Sequence, residues 1–84
     1  MPTYVKMPVH IQAVQWTGRN YDAIIDFAGE ANVVYVDHYR FILTGNRGNN
    51  VVETSDWVIK GLCGELYPCP DNIFIQSFAE VSSE

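Results

Sequence analysis

The chain has 84 residues, of which 48% are hydrophobic and 18% are charged, and its formal net charge is −5. This length predicts a single domain spanning residues 1–84, and the apolar content excludes a disordered chain. The excess of acidic residues argues against a nucleic-acid partner, because such binders need clustered Lys and Arg to displace counterions from phosphates.

The N-terminal quarter predicts a strand followed by a short helix. Residues 9–16 form the first predicted strand, with apolar side chains on both faces. Residues 21–28 form the predicted helix, because their apolar side chains recur at i, i+3, i+4 and i+7. Asn20 is the expected N-cap, and Gly29 is expected to end the helix.

The middle of the chain predicts strands separated by turns. Residues 32–36 and 39–44 are rich in β-forming residues, and the Asp37-His38 pair between them predicts a tight hairpin turn. Residues 45–50 are mainly Gly and Asn and predict a loop. Residues 51–53 are expected to pair briefly with a neighbouring strand.

The C-terminal part predicts a hairpin and a last strand. Residues 56–69 alternate with period two around a link bounded by two glycines, which is typical of a β-hairpin. Residues 68–72 are expected to cross irregularly because they contain two prolines, and residues 73–81 predict a final strand. The sum is an α+β fold: a curled antiparallel sheet, or half-barrel, of about five to six strands, with one short helix after the first strand.

Side chains suited to catalysis or metal binding are few and scattered. His10 and His38 stand apart without a metal-ligand pattern, and Cys63 and Cys69 are not spaced as a CxxC pair. A nucleophile would need a neighbouring base and an orienting acid, and no such arrangement is visible. We therefore predict no catalytic residue, no metal and no cofactor, and a protein that is not an enzyme.

Aromatic residues supply the predicted binding site. If Trp57, Lys60 and Tyr67 share an outward face of the hairpin, with Glu65 at its turn, they form an aromatic and charged patch that anchors a partner. The alternative is a pocket between the helix and the curled sheet, lined by Trp16, Trp57 and Tyr67, that holds a small molecule or nucleotide. For most of these aromatic residues a core position is favoured, because a domain this small needs large side chains to bury enough area.

Two motifs resemble a family of small phage and prophage proteins. They are PVxIxAVQWTGxN at residues 8–20 and DW(V/I)IKGxxGExYPC at residues 56–69, the latter followed by Asp71 and Ile73-Phe74. The resemblance implies a phage origin rather than a reaction. It suggests an accessory protein that binds and modulates a host or phage protein, for example as an inhibitor of a bacterial defence system such as CRISPR. A protein that sequesters a small molecule and a minor virion or assembly component are the alternatives.

The sequence also bears on location. No apolar run approaches the roughly 20 residues that span a bilayer, and the N-terminus lacks the pattern of a signal peptide. We therefore expect no membrane partner and a location in the cytoplasm of the bacterial host. A homodimer is left open.

Overall fold

A computed structural model describes residues 2–3, 10–45 and 48–78 of the chain. These residues contain six strands and two α-helices, with a 3₁₀ turn, Glu30–Asn32, after the first helix. In chain order the elements are β1 (Gln12–Gln15), α1 (Tyr21–Ala28), β2 (Val33–Tyr35), β3 (Arg40–Gly45), β4 (Gly48–Glu53), β5 (Trp57–Lys60), β6 (Leu66–Cys69) and α2 (Asp71–Ser77). The predicted α+β class is confirmed.

The strands form two antiparallel three-stranded sheets instead of the predicted half-barrel. Sheet A has the strand order β1-β5-β6, and sheet B has the order β2-β3-β4. The turn after β4 separates them. Ser55, at a φ of 83°, donates its N–H to the Trp16 carbonyl at 2.7 Å, and the Trp16 N–H donates to the Asp56 carbonyl at 2.8 Å. Because these bonds align the chain with the end of β1, β5 pairs with β1 and does not extend sheet B.

Helix α1 has the bounds predicted from its apolar stripe. Its Ile24 and Ala28 side chains are buried, and the Gly29 N–H donates to the Ile25 carbonyl at 2.8 Å. Gly29 has a φ of 93°, which an L side chain reaches only with strain, so the glycine is required where the helix ends.

Asn20 does not cap α1 in the way the sequence predicts. Its side-chain oxygen accepts the Thr17 N–H at 2.9 Å, and its amide donates to the Gln15 carbonyl at 2.8 Å. Among the described residues, no side chain caps the first turn of the helix. Asn20 therefore fixes the connection from β1 to α1 instead of satisfying the helix N–H groups.

The positions of strands β1, β2 and β3 are close to those predicted from the sequence, but their first and last residues differ. Strand β1 is shorter than the predicted 9–16, and residue 9 lies outside the described residues. Strands β2 and β3 match the two predicted strands to within one residue at each end. Their turn is centred on His38 and Tyr39, one residue later than predicted, because the Asp37 N–H donates to the Arg40 carbonyl at 3.2 Å.

The predicted loop at residues 45–50 is largely strand. Gly45 pairs with Gly48, Thr44 with Asn49 and Leu43 with Asn50, while residues 46–47 lie outside the described part of the chain. Pairing with β3 overrides the weak strand preference of Gly and Asn.

The C-terminal hairpin is confirmed. Strands β5 and β6 are antiparallel, with Lys60 opposite Leu66 and Val58 opposite Pro68. Pro68 is thus part of a strand and not of an irregular crossing. It is tolerated because β6 is an edge strand of sheet A, the position where a missing N–H donor is least costly.

The predicted last strand at residues 73–81 is wrong over its described residues. Residues 71–77 form α2, and residues 79–81 lie outside the described part of the chain. Pro70 precedes the helix, and its carbonyl accepts the Phe74 N–H at 2.9 Å. The period-two pattern misleads because Ile73 and Ile75 do not face a core; both are exposed.

The main core lies between the two sheets and α1. Its buried residues are Trp16, Ile24, Ala28, Phe41, Leu43, Val52, Val58 and Leu66. Helix α2 covers the opposite, outer face of sheet A, where the Phe74 ring stacks on Trp57 with 3.9 Å between centroids and 6° between planes. Val34 and Val51, on the outer face of sheet B, are exposed.

Candidate functional site

The predicted aromatic and basic patch does not form as one surface. Trp57 and Tyr67 lie on the outer face of sheet A, whereas Lys60 is on the inner face, since strand positions alternate. The Lys60 ammonium lies 4.6 Å from the centre of the Phe27 ring of α1. The two aromatic residues and the lysine are therefore on opposite sides of the sheet.

Trp57 is half-buried and held by α2. Besides stacking on Phe74, it donates its indole Nε1–H to Asp71 Oδ1 at 2.8 Å. The Gln15 side-chain amide reaches the same oxygen at 3.3 Å. The indole is thus used to dock the C-terminal helix.

Glu65 has a local role at the hairpin link. Its carboxylate accepts the Cys63 N–H at 3.0 Å, and its side chain occupies the space that a side chain at Gly61 would need. The glycine that bounds the link is therefore matched to Glu65, which orders the turn.

The predicted ligand pocket is not assembled either. Trp16 is buried in the main core, with its ring 5.3 Å from that of Phe41, centre to centre. Trp57 and Tyr67 lie on the other side of sheet A. The three side chains do not converge on a common space.

The two thiols lie in different surroundings. Burial raises the pKa of the Cys69 thiol, and the Asp56 carboxylate raises it further, so this thiol is held in its neutral form. Cys63 is exposed. Among residues 2–3, 10–45 and 48–78, no group of three or more His, Cys, Asp and Glu is placed to hold a metal ion.

The strongest candidate surface is formed by the last residue of β2 and the turn that leads to β3. It is here called the hairpin tip and defined as residues 35–39. Tyr39 is 70% exposed, and Tyr35 and Val36 are also exposed. Tyrosine presents a large area of contact with few rotatable bonds, which is why it is enriched at protein interfaces. The hairpin tip therefore has the composition of a contact surface.

Side chains fix the backbone of the hairpin tip. The Tyr39 carbonyl accepts the Trp16 indole Nε1–H at 3.0 Å and the Thr54 hydroxyl at 2.9 Å. The Tyr39 N–H donates to Asp37 Oδ1 at 2.8 Å. Asp37 also forms an ion pair with Arg40 at 3.3 Å. The most exposed aromatic residue of the tip is thus anchored to the core through its main chain, while its ring is left outward.

Tyr35 connects the tip to α1. Its ring meets that of Tyr21 edge-on, with 5.7 Å between centroids. Burial raises the pKa of Tyr21, and Tyr35 and Glu30 raise it further, so the phenol beneath the tip stays neutral at physiological pH. This contact supports the tip from below without covering its outer surface.

None of the binding residues predicted from the sequence lies in the hairpin tip, because the aromatic residues that define the predicted site belong to other segments of the chain. A signal was present: Asp37 stands two residues before Tyr39, the spacing at which an Asp side chain accepts a main-chain N–H in a turn. Tyr39 lies within that turn and Tyr35 ends the strand before it, and both are exposed.

Within the described part of the chain, no helix has the length and apolarity needed to cross a membrane. Comparison with known proteins found no matching family model, no matching curated protein and no matching solved structure.

Proposed function

We propose that the chain is a non-enzymatic protein-binding module and that the hairpin tip is its contact site. The observation that carries this proposal is the exposed Tyr39 ring on a backbone fixed by three hydrogen bonds with the side chains of Trp16, Asp37 and Thr54. A Tyr side chain has few rotatable bonds and, on a fixed backbone, loses little conformational entropy on binding, and exposed aromatic residues supply much of the energy of protein interfaces.

The partner we propose is a host or phage protein in the cytoplasm of the bacterial host. This rests on the resemblance of the two terminal motifs to phage and prophage proteins. Modulation of that partner, for example inhibition of a defence system such as CRISPR, is the role that suits a small acidic module without a catalytic constellation.

The test is capture of the partner followed by measurement with purified components. Tagged protein is used to isolate a stoichiometric partner from host lysate, and the Kd of the purified pair is measured by calorimetry for the wild type and for Tyr39→Ala. We expect the substitution to weaken binding by about 30-fold or more, the effect of removing an anchor residue. Leu62→Ala, which shortens an exposed apolar side chain in the β5–β6 link, is the matched control and should leave the Kd unchanged.

Two results would overturn the proposal. An equal Kd for Tyr39→Ala and the wild type would exclude the hairpin tip as the contact site. A purified protein that carries a stoichiometric small molecule, detected by mass spectrometry after extraction, and captures no partner would favour the sequestering function.

A further inference from the structure

The outer face of sheet B carries an apolar row that crosses all three strands. Val34 is opposite Ile42, and Ile42 is opposite Val51. Val34 is 48% exposed and Val51 is 54% exposed, whereas Phe41 and Val52 on the inner face are buried. A continuous apolar row on an open sheet face is a common feature of protein interfaces.

Two further pairs of β3 and β4 flank this row. Arg40 is opposite Glu53 on one side, and Thr44 is opposite Asn49 on the other. Arg40 forms its ion pair with Asp37, and no Lys or Arg among the described residues lies within ion-pair distance of the Glu53 carboxylate. The face thus has an apolar centre, an uncharged polar side, and a charged side formed by Arg40, its ion-pair partner Asp37, and Glu53.

We propose that a second copy of this chain packs on this face. The two copies are related by a two-fold axis that lies between the packed faces, runs parallel to the strands, and stands over the line midway between β3 and β4. Such an axis places each residue of β3 over its cross-strand partner in the other copy. Ile42 then meets Val51 of the second copy, and Val51 meets Ile42. Arg40 meets Glu53 of the second copy, and the reverse, so each Glu53 gains a basic partner and each Arg40 gains a second acidic one besides Asp37.

Charge complementarity selects this axis and this occupant. An axis running along β3 would also superpose the apolar row, but it would place Arg40 over Arg40 of the second copy. The axis between β3 and β4 instead converts each cross-strand pair into a reciprocal contact. Two sheets packed face to face with nearly aligned strands are a standard arrangement, and the five donors of Arg40 can bind Asp37 and the partner carboxylate together.

This association uses the sheet face and not the ring of Tyr39, which carries the proposed partner binding, although the two surfaces share Asp37 through its ion pair with Arg40. The first test is sedimentation velocity from about 10 μM to about 1 mM protein, a range that covers weak and moderate dimers. We expect the wild type to reach twice the 9.5 kDa chain mass and Val51→Lys to stay monomeric. Leu62→Lys adds the same charge at an exposed position outside the face and should dimerise like the wild type. A monomeric wild type at every concentration, or a dimeric Val51→Lys, would overturn the proposal.

A charge exchange tests the axis. Arg40→Glu gives the face two carboxylates, and Glu53→Arg gives it two guanidinium groups, so each variant alone should dimerise about tenfold more weakly than the wild type. An equimolar mixture restores opposite charges across the interface and should recover the association as a heterodimer. Circular dichroism confirms that both variants are folded. A mixture that associates no better than the single variants would exclude the proposed axis.

Discussion

The two sheets differ in what happens to the aromatic residues on their surfaces. On sheet A, the Trp57 ring is covered by Phe74 of α2 and its indole nitrogen is bonded to Asp71. On sheet B, the hairpin tip leaves Tyr39 uncovered while its main chain is bonded on both sides. In the first region the hydrogen bonds hold the ring, and in the second they hold only the backbone.

This difference separates a structural aromatic residue from a candidate contact residue. A ring that stacks and donates its own N–H stabilises the fold, because its burial and its polar atom are both satisfied internally. A ring that remains exposed on a fixed backbone adds little to stability and is available to a partner. The free energy of unfolding should therefore respond strongly to changes in the first region and weakly to changes in the second.

Phe74→Ala should have the largest effect on stability. It removes the ring that stacks on Trp57 and contacts Phe78, with 5.0 Å between the centroids of the two phenylalanine rings. Because Phe74 is only half-buried, we expect a loss of about 2 kcal/mol, below the range for a fully buried Phe. Urea denaturation measures the loss. Ile75→Ala, at the next position of the same helix and 65% exposed, is the control and should change stability by less than about 0.5 kcal/mol.

Equal effects of Phe74→Ala and Ile75→Ala would show that α2 does not dock through its Phe74 face. The role of Trp57 as a structural residue would then lose its main support, and its ring would again be a candidate contact.

Asp71→Ala should have the next largest effect. Its carboxylate accepts the Trp57 indole N–H at 2.8 Å and lies in the first turn of α2, where negative charge is favoured by the helix dipole. We expect a loss of about 1.5 kcal/mol, typical of a hydrogen bond to a charged group. Asp71→Asn keeps an oxygen acceptor and should recover part of that loss. Thermal unfolding followed by circular dichroism compares the three proteins, and an Asn variant no more stable than the Ala variant would assign the effect to charge alone.

Most of the individual helices and strands of this fold can be predicted from the sequence, but their arrangement into two sheets cannot. Helix α1 and the β5–β6 hairpin follow from apolar spacing and glycine positions, so their bounds are close to prediction. The split into two sheets depends on Ser55 at positive φ, a conformation that no sequence pattern marks for serine. The spacing of Ile73 and Ile75 predicts a strand where the chain forms α2, although Asp71 stands where an acidic residue favours the first turn of a helix.

The candidate site shows the same limit. The sequence identifies which residues are aromatic and, by alternation, which residues of one strand share a face, but not what covers that face. Trp57 and Lys60 are three positions apart in one strand, and the alternation of side chains alone places them on opposite faces. That part was predictable. The covering of Trp57 by Phe74 depends on α2, and so it required the structure.

Asp37→Ala should have a moderate effect that is confined to the hairpin tip. It removes an acceptor for the N–H groups of Tyr39 and Arg40, at 2.8 and 3.1 Å, and the ion pair with Arg40. We expect a loss of about 1 kcal/mol, similar to the removal of a capping side chain, and faster hydrogen exchange at those two amides. Asp26→Ala removes an exposed carboxylate from α1 as a control. Unchanged exchange at Tyr39 in Asp37→Ala would mean that the tip is not fixed by this side chain.

Tyr39→Ala should have the smallest effect on stability. The three hydrogen bonds at this residue use its N–H and carbonyl, which alanine retains, and its ring contacts only the exposed His38 among the ring pairs described, with 6.5 Å between centroids. We expect the free energy of unfolding, measured by urea denaturation, to change by less than about 0.5 kcal/mol, although this substitution removes an aromatic ring just as Phe74→Ala does. A loss as large as that of Phe74→Ala would show that the Tyr39 ring stabilises the fold, and the contrast between the two sheets would then no longer mark the tip as a contact surface.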